Sequence, residues 1–178
     1  MSHAQLPALR TTAAFALAMV VIVVSSNILV QQPLNDWLTW GAVTYPFSFL
    51  VVDLANRYYG PRTARRVVYV GFVVAVVLSA WFATARIAIA SGSAFLCAEL
   101  LDVVIFDRLR RHAWWLPPLV STLLASVVDT AVFFSLAFYG TDMPWVTLAI
   151  GDLGVKVALA LFALLPFRVA LALVRPGT

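Results

Sequence analysis

The sequence has a single cysteine and few charges, and these two shortages exclude whole classes of protein. Cys97 lies in an apolar run, so a disulfide framework is excluded and we expect a buried, inert thiol. Charged residues make up 11% of the chain, whereas a soluble domain averages about 25%. With 63% hydrophobic residues, the chain cannot cover a water-exposed surface with polar groups. We therefore predict a membrane protein.

Motifs for catalysis and for metal binding are also missing. The sequence has no phosphate loop, no GxGxxG, no HExxH and no paired cysteines. The two histidines, His3 and His112, lie in the N-terminal tail and in a polar loop, which argues against a histidine metal site. We predict no metal, no cofactor and no enzymatic activity. An intramembrane enzyme that uses Asp102 and Asp129 as acids is a less favoured alternative.

Long apolar runs separated by short polar breaks fill most of the chain. A transmembrane helix needs roughly 20 apolar residues, so the chain accommodates about six spans in one domain. Ser26-Asn27 interrupts the first run and no small-residue cleavage site follows it, so we interpret this run as a retained helix. We predict an all-α membrane protein in which residues 1–178 form a single integral membrane domain. The six predicted transmembrane helices cover about 12–30, 39–58, 66–83, 87–106, 115–139 and 144–174.

The basic residues are spread between the apolar runs, which argues against nucleic-acid binding despite the net charge of +4. With six spans, ten arginines fall on one side of the membrane, and the opposite loops carry Asp36 and Asp142 with Arg86 at their border. The positive-inside rule then predicts a multi-pass protein of the cell (inner) membrane with both termini in the cytoplasm. The ten arginines are Arg10, Arg57, Arg62, Arg65, Arg66, Arg108, Arg110, Arg111, Arg168 and Arg175.

Seven charged residues fall within the predicted spans or at their edges. A charge at the bilayer centre costs about 2.5–3.5 kcal/mol, so these side chains must face the bundle interior, pair with one another or carry a proton. Charged residues at such depth indicate a pathway for a substrate or an ion. They are Asp53, Arg86, Glu99, Asp102, Asp129, Asp152 and Lys156.

Helical spacing sorts the polar residues of the spans into faces. On span four, Glu99 and Asp102 share a face with Ser91 and Phe95. Two acids on one face with no basic residue nearby in sequence cannot neutralise each other, so a functional role is favoured for both. The other polar faces are Asn27–Gln31 on span one, Thr44–Ser48 on span two, Thr122–Ser126–Asp129 and Ser121–Ala125–Asp129 on span five, and Asp152–Lys156 on span six.

Several of these groups have a structural interpretation as well as a functional one. Asp152 and Lys156 form either a structural ion pair or part of a site. Asp53 has Arg57 four residues later, and a structural pair is favoured there. The small residues of span five either pack against another helix or line a site. Arg86 either extends to the outer interface or takes part in gating.

Sequence motifs that are specific to a known family occur in order from about Ser25 to Val157. They are SNILVQ at 26–31, TWGAVTYPF at 39–47, ELLDV at 99–103 and FDRLR at 106–110, with shorter matches around Arg86, Asp129 and Asp152. Together they resemble the queuosine precursor transporter family, also called the vitamin-uptake transporter family. Some members carry glutamine where this chain has Glu99 and asparagine where it has Ser126, which leaves the preferred substrate open.

The resemblance implies inward transport of two 7-deazaguanine bases, 7-cyano-7-deazaguanine and 7-aminomethyl-7-deazaguanine, for making queuosine in transfer RNA. A guanine-type edge offers adjacent N–H donors, which the carboxylate of Glu99 or Asp102 can accept as a forked pair. Aromatic side chains can stack on the flat ring. The predicted substrate-binding residues are Asn27, Gln31, Trp40, Thr44, Tyr45, Phe47, Ser91, Phe95, Glu99 and Asp102. The predicted gating or supporting residues are Asp53, Arg86, Ser126, Asp129, Asp152 and Lys156.

The expected partners are therefore a small deazapurine base and the lipid bilayer. A substrate-binding subunit of an ATP-driven vitamin importer is an alternative, because such subunits are also small six-helix membrane proteins. The sequence leaves open whether a proton, facilitated diffusion or an ATP-driven module supplies the energy. It also leaves open whether the chain forms a homo-oligomer.

Overall fold

The computed structural model describes residues 5–29, 33–35, 38–82, 84–142 and 144–173. Within these ranges the chain is helical apart from one short pair of antiparallel strands, which lies in the polar break after the first apolar run. The sequence predicted the helices and did not predict this hairpin. The elements in chain order are α1 (Gln5–Leu29), β1 (Pro33–Asn35), β2 (Leu38–Thr39), α2 (Trp40–Thr44), α3 (Phe47–Tyr59), α4 (Pro61–Phe82), α5 (Ala85–Leu109), α6 (Leu116–Phe138) and α7 (Trp145–Leu173).

Local turn chemistry sets the helix ends. Gly60 has φ +82° and its N–H bonds the carbonyl of Asn56, which closes α3 in a conformation that favours glycine. Pro61 opens α4, because proline fits the first helical position. Thr84 caps α5 by accepting a hydrogen bond of 3.4 Å from the backbone N–H of Ile87.

The predicted second span is not one continuous helix, which corrects the sequence-based prediction. The chain forms α2, turns at Tyr45-Pro46 and continues as α3. Proline has no N–H for the helical ladder and its ring clashes with the preceding turn, so the helix breaks there. Helix α4 begins at Pro61, ahead of the predicted Arg66. The ends of α5, α6 and α7 lie within three residues of the predicted ones.

Three of the described helices, α5, α6 and α7, are long and apolar enough to cross a membrane, and α1 contains a shorter apolar stretch over Thr12–Ser26. Large apolar side chains such as Trp81 and Ile89 are exposed on the outer surface, as helices in lipid require. Cys97 is also exposed, so the prediction of a buried thiol is wrong. An apolar run in a membrane helix supplies both the interior and the lipid-facing residues, so apolar neighbours alone do not indicate burial.

Helix α3 lies at the centre of the bundle and contacts α1, α4, α5, α6 and α7. Helix α5 packs against α6 on one side and against α4 on the other. Helix α4 approaches α1 closely at Gly71, where an added Cβ would lie 2.6 Å from the side chain of Met19. This packing turns the polar faces of α3, α5, α6 and α7 toward one another.

Candidate functional site

Glu99 on α5 is a fully buried carboxylate at the centre of the bundle. The hydroxyl of Ser48 on α3 donates to Glu99 Oε1 at 2.6 Å. Glu99 Oε2 and both carboxyl oxygens of Asp102 receive no hydrogen bond from any residue that the structure describes. A buried acceptor without a donor costs about 1–3 kcal/mol, so this face of α5 offers unused acceptors.

Asp53 on α3 lies with its carboxyl group within hydrogen-bonding reach of Asp102, and both side chains are buried. The hydroxyls of Ser121 and Thr122 on α6 donate to the two oxygens of Asp53, each at 3.3 Å. The favoured pair of Asp53 with Arg57 is therefore wrong. Four residues on from Asp53, at the end of α3, the Arg57 guanidinium donates instead to the carbonyl of Arg110 at 2.9 Å.

Lys156 on α7 joins two acids in a buried ion cluster. Its Nζ lies 2.7 Å from Asp129 Oδ2, 3.0 Å from Thr130 Oγ1 and within bonding distance of Asp152 Oδ2. The hydroxyl of Thr130 in turn donates to Asp152 at 2.8 Å. The predicted Asp152–Lys156 ion pair is confirmed, and Asp129 joins it from α6. All three donors of the ammonium group are therefore in use.

Tyr45 connects this ion cluster with the region around Glu99. Its phenol donates to Asp129 Oδ1 at 3.3 Å, and Lys156 Nζ lies 5.9 Å from the ring centroid. The ring meets Phe49 and Phe95 edge to face, with centroids 6.3 Å apart in each pair. Phe95 lies on α5 one helical turn before Glu99, so an aromatic surface borders the unused acceptors.

The other predicted substrate-binding residues lie at varied positions. Trp40 at the start of α2 is 48% exposed, and Phe47 at the start of α3 is half-buried. Thr44 shares a hydrogen bond of 3.0 Å with Ser26 and so ties α2 to α1. Ser91 on α5 is half-buried one turn before Phe95. Gln31 and the side chain of Asn27 lie outside the described part of the chain.

Ser126 on α6 is fully buried, and its hydroxyl makes no hydrogen bond with a described residue. It stands between Thr122, which bonds Asp53, and Asp129, which bonds Tyr45. Ser126 lies one helical turn from each of these neighbours, so the three residues share one face of α6. A free hydroxyl here both donates and accepts, unlike the carboxylates nearby.

Arginines tie the helices together at both ends of α5. Near its start, Arg86 donates to the carbonyl of Leu136 at 2.9 Å and to that of Tyr139, and so caps the end of α6. A guanidinium suits this position because the last carbonyls of a helix lack partners within the helix. Arg86 therefore does not merely extend to the outer interface. Beyond the end of α5, Arg110 donates to the backbone carbonyl of Asn56 at 2.7 Å and to its side-chain oxygen.

A narrow cleft borders Asp53 between α3, α6 and α7. It encloses about 10 Å³, which is room for about one water molecule and far less than a purine base requires. Apolar side chains form most of its wall. The lining residues are Pro46, Phe49, Leu50, Asp53, Pro118, Thr122, Ala160, Ala163, Leu164 and Phe167.

The sequence-based list of site residues lacked Ser48, Asn56, Ser121, Thr122 and Thr130, all of which are buried and hydrogen-bonded. Helical spacing had already placed Ser48, Ser121 and Thr122 on polar faces, and it also carried a signal for Asn56. Ser48 and Asn56 are polar residues eight positions apart on α3, which puts them on one face, and that face is buried. Polar residues that recur at helical spacing in an apolar run indicate such a face.

Comparisons with known proteins agree with this helical membrane architecture. The family model described as "Putative vitamin uptake transporter" matches residues 39–85 and 77–171. The queuosine precursor transporter of Escherichia coli (strain K12) is 35% identical over 175 aligned residues, which cover 82% of this chain and 79% of the relative. The "Probable queuosine precursor transporter" of Haemophilus influenzae is 33% identical over 188 aligned residues, which cover 83% of this chain and 80% of the relative.

A third relative, from Bacillus subtilis (strain 168), is also named "Probable queuosine precursor transporter" and is 29% identical over 157 aligned residues. The alignment covers 71% of this chain and 68% of that relative. No solved structure matches this chain. The family model covers well over half of the sequence, and two relatives exceed 30% identity over most of it. The chain therefore belongs to the vitamin uptake transporter family, whose members here include named queuosine precursor transporters.

Proposed function

We propose that this protein imports queuosine precursors, 7-cyano-7-deazaguanine and 7-aminomethyl-7-deazaguanine, across the cell inner membrane, and that Glu99 recognises the base. One observation carries the proposal. Glu99 is fully buried, one of its oxygens is held by Ser48 and the other has no donor among the described residues. A carboxylate fixed in this way is ready to accept hydrogen bonds from a ligand. The three named relatives support the choice of substrate.

The chemistry of the base matches the unused groups around Glu99. A guanine-type edge presents a ring N–H beside an exocyclic amine, and a carboxylate accepts both as a forked pair. Each carboxylate oxygen has two lone pairs, so Glu99 Oε1 can keep its bond to Ser48 while it accepts another. Ser126 supplies a free hydroxyl for the acceptor side of the base. Tyr45 and Phe95 supply aromatic surface, and stacking of a base on such a ring is worth about 1–3 kcal/mol.

Of the two acids on this face of α5, Glu99 is the better candidate for reading the base. Asp102 has Asp53 within hydrogen-bonding reach, whereas Glu99 is fixed by an uncharged hydroxyl. We assign Asp129, Asp152 and Lys156 to the framework that positions α6 and α7 around the site. The site is built from the helices of one chain, so the proposal holds equally for a monomer and for a homo-oligomer.

The narrow cleft is too small for a purine and Glu99 is not among its lining residues, so transport requires the helices around Glu99 to separate. Interhelix ties at the two ends of α5 are suited to gating. Arg86 ties α5 to α6 at one end, and Arg110 ties α5 to α3 at the other. Release of one tie at a time would open the bundle toward one side of the membrane, as alternating access requires.

We also propose that six transmembrane helices make up a single domain of residues 1–178, with both termini in the cytoplasm. The positive-inside distribution of the arginines supports this topology. The test starts from a Cys97→Ala background. An impermeant maleimide should label Asp142→Cys in intact cells and His112→Cys only after permeabilisation, since both positions are exposed. The reverse pattern would invert the topology.

The function is tested by rescue and by binding. A bacterial strain that cannot make the precursors and lacks its own carrier should regain queuosine in its transfer RNA when this protein is expressed. Purified protein should bind labelled 7-cyano-7-deazaguanine. Glu99→Ala should weaken binding about 10- to 150-fold, the value of a lost charge-assisted hydrogen bond. Asp142→Ala is the control, because this acid is exposed in the loop after α6.

Several outcomes would contradict the proposal. If the protein is present in the membrane and transfer RNA stays unmodified, the assigned substrate is wrong. If Glu99→Ala binds the base as well as the wild type does, Glu99 is not in the site. Uptake by purified protein in liposomes without ATP would separate a solitary carrier from a subunit of an ATP-driven importer.

A further inference from the structure

The buried acids of the bundle outnumber the buried cations. Lys156 serves Asp129 and Asp152, and its three donors are all in use. The remaining buried acids are Asp53, Glu99 and Asp102. Arg57, the partner that the sequence offered for Asp53, does not neutralise it, because its guanidinium bonds the backbone carbonyl of Arg110. Arg110 itself bonds Asn56 and the exposed Asp107.

No positive charge faces Asp53 and Asp102 from any described helix that packs around them. Helix α6 contributes the hydroxyls of Ser121 and Thr122, and α5 contributes the further acid Glu99. Helix α7 presents apolar groups along the adjoining cleft. Helices α1 and α4 contribute apolar residues to the core beside α3 and α5, and this core is formed by Met19, Val23, Val52, Ala55, Ala64, Val67, Val68, Ala75, Phe95 and Val103.

A hydrogen shared between the two acids fits their arrangement. Their carboxyl groups lie within hydrogen-bonding reach of each other. The hydroxyls of Ser121 and Thr122 lie near both acids but donate to Asp53, so neither oxygen of Asp102 receives a hydrogen bond from a described residue. Two ionised carboxylates at such range in a dry interior repel each other strongly, whereas one proton turns the contact into a hydrogen bond. One proton in the pair therefore gives one of the two free oxygens of Asp102 a hydrogen-bond partner.

A metal cation fits this place less well than a proton does. Among the described residues no group of three histidine, cysteine or acidic side chains is arranged to hold a metal ion. The adjoining cleft has room for about one water and is lined mainly by apolar side chains, so it lacks the oxygen ligands that a hard cation needs. A proton needs neither space nor further ligands.

We infer that Asp53 and Asp102 form a proton-binding site, distinct from Glu99, and that the proton bound there crosses the membrane together with the substrate. The inference rests on the proposed transport function. One proton is taken up by the pair from the outer side when the substrate loads, and it leaves to the cytoplasm when the substrate is released. The cleft beside Asp53 has room for about one water molecule, and we assign it as the route by which the proton reaches the pair.

The test uses full-length protein in liposomes, labelled 7-cyano-7-deazaguanine and a pH-sensitive dye trapped inside, with the membrane voltage clamped. An inward proton gradient of one pH unit should concentrate the base about tenfold, since one pH unit is about 1.4 kcal/mol per coupled proton. The dye should report acidification that follows substrate entry. Asp53→Asn imitates the protonated pair, because its amide donates to Asp102. The rate at which this variant exchanges internal for external base should lie within about twofold of the wild-type rate, but the variant should not concentrate the base.

Asp142→Asn, an exposed acid in the loop after α6, is the control and should concentrate the base as the wild type does. Substrate entry without acidification in the wild type overturns the proton site, and this readout needs no variant to fold. Accumulation driven by a sodium gradient at equal pH also overturns it, as does concentration of the base by Asp53→Asn. If the wild type binds the base and exchanges it but shows no coupling, only the proton site fails. If the wild type binds no base, the proposed function fails and the proton site with it.

Discussion

Lys156 on α7 and Asp129 on α6 form an ion pair of 2.7 Å across two helices, and both side chains are nearly inaccessible. Asp152, one turn before Lys156, joins the same ammonium group. A buried charge without its partner is expensive, so this cluster fixes α7 against α6. It also sets the position of the Tyr45 phenol, which bonds Asp129. The arrangement of α6, α7 and the turn before α3 therefore depends on one cation.

Removal of that cation should destabilise the bundle. Lys156→Met leaves the buried Asp129 and the half-buried Asp152 without a positive partner, and we expect a loss of about 3–5 kcal/mol. Thermal unfolding of the purified protein in detergent measures the loss. Arg111→Met removes an exposed cation and serves as the control. Addition of Asp129→Asn and Asp152→Asn to Lys156→Met should recover much of the lost stability. If Lys156→Met alone is as stable as the wild type, the cluster does not stabilise the bundle.

Substitutions of Ser126 and Ser121 should separate an effect on base binding from an effect on stability. Ser126→Ala removes a buried hydroxyl that has no described partner, so unfolding stability should stay the same or rise by about 1 kcal/mol, while the base binds more weakly. Ser121→Ala removes a donor to Asp53 and should lower stability by about 1 kcal/mol. Unfolding and binding are measured on the same preparations. Equal destabilisation by both variants would mean that Ser126 has a structural role.

Arg86 should stabilise the end of α6. Arg86→Ala removes two hydrogen bonds to the carbonyls of Leu136 and Tyr139, and we expect about 1 kcal/mol of destabilisation because the residue is exposed. Hydrogen exchange of the segment 136–142, followed by mass spectrometry, should become faster. Arg86→Lys should recover only part of the protection, since an ammonium lacks the planar fork. Arg62→Ala, an exposed arginine on α4, should leave this segment unchanged.

Addition of a single methyl group at Gly71 should destabilise the protein. A Cβ at this position would lie 2.6 Å from the side chain of Met19, which is itself fully buried. Gly71→Ala should therefore force α1 and α4 apart and cost about 1–3 kcal/mol. Gly154→Ala on α7 meets nothing within 4 Å and provides the matched control. Unfolding temperatures decide the question, and equal values for the two variants would rule out a close contact at Gly71.

The helical spacing of polar residues predicted which side chains face the interior. Phe95, Glu99 and Asp102 lie three or four positions apart on α5, and all three are buried as this spacing requires. The same reasoning predicted the Asp152–Lys156 pair, because acid and base four residues apart on one helix are neighbours whatever surrounds them. Information of this kind lies within a single helix and needs no knowledge of its neighbours.

Helical spacing could not predict the contacts between helices. Asp53 was expected to pair with Arg57 within α3, yet it bonds Ser121 and Thr122, which are almost seventy residues away in the chain. Ser48 was assigned to a polar face, but its partner Glu99 was not predicted. Such contacts depend on how far each helix is rotated and where it crosses its neighbour, and local spacing carries neither quantity.

By itself the sequence determined the membrane environment, the approximate helices and the faces that carry acids, because apolar length and helical period are local properties of the chain. Tertiary structure alone decided which acid pairs with a cation, which accepts a hydrogen bond from a hydroxyl and which has oxygens without a donor. The physical reason is that a buried charge is costly unless a donor stabilises it. Which donor lies within about 3 Å of the charge depends on the packing of distant helices. Glu99 and Asp102 carry free acceptors because packing brings no cation to them.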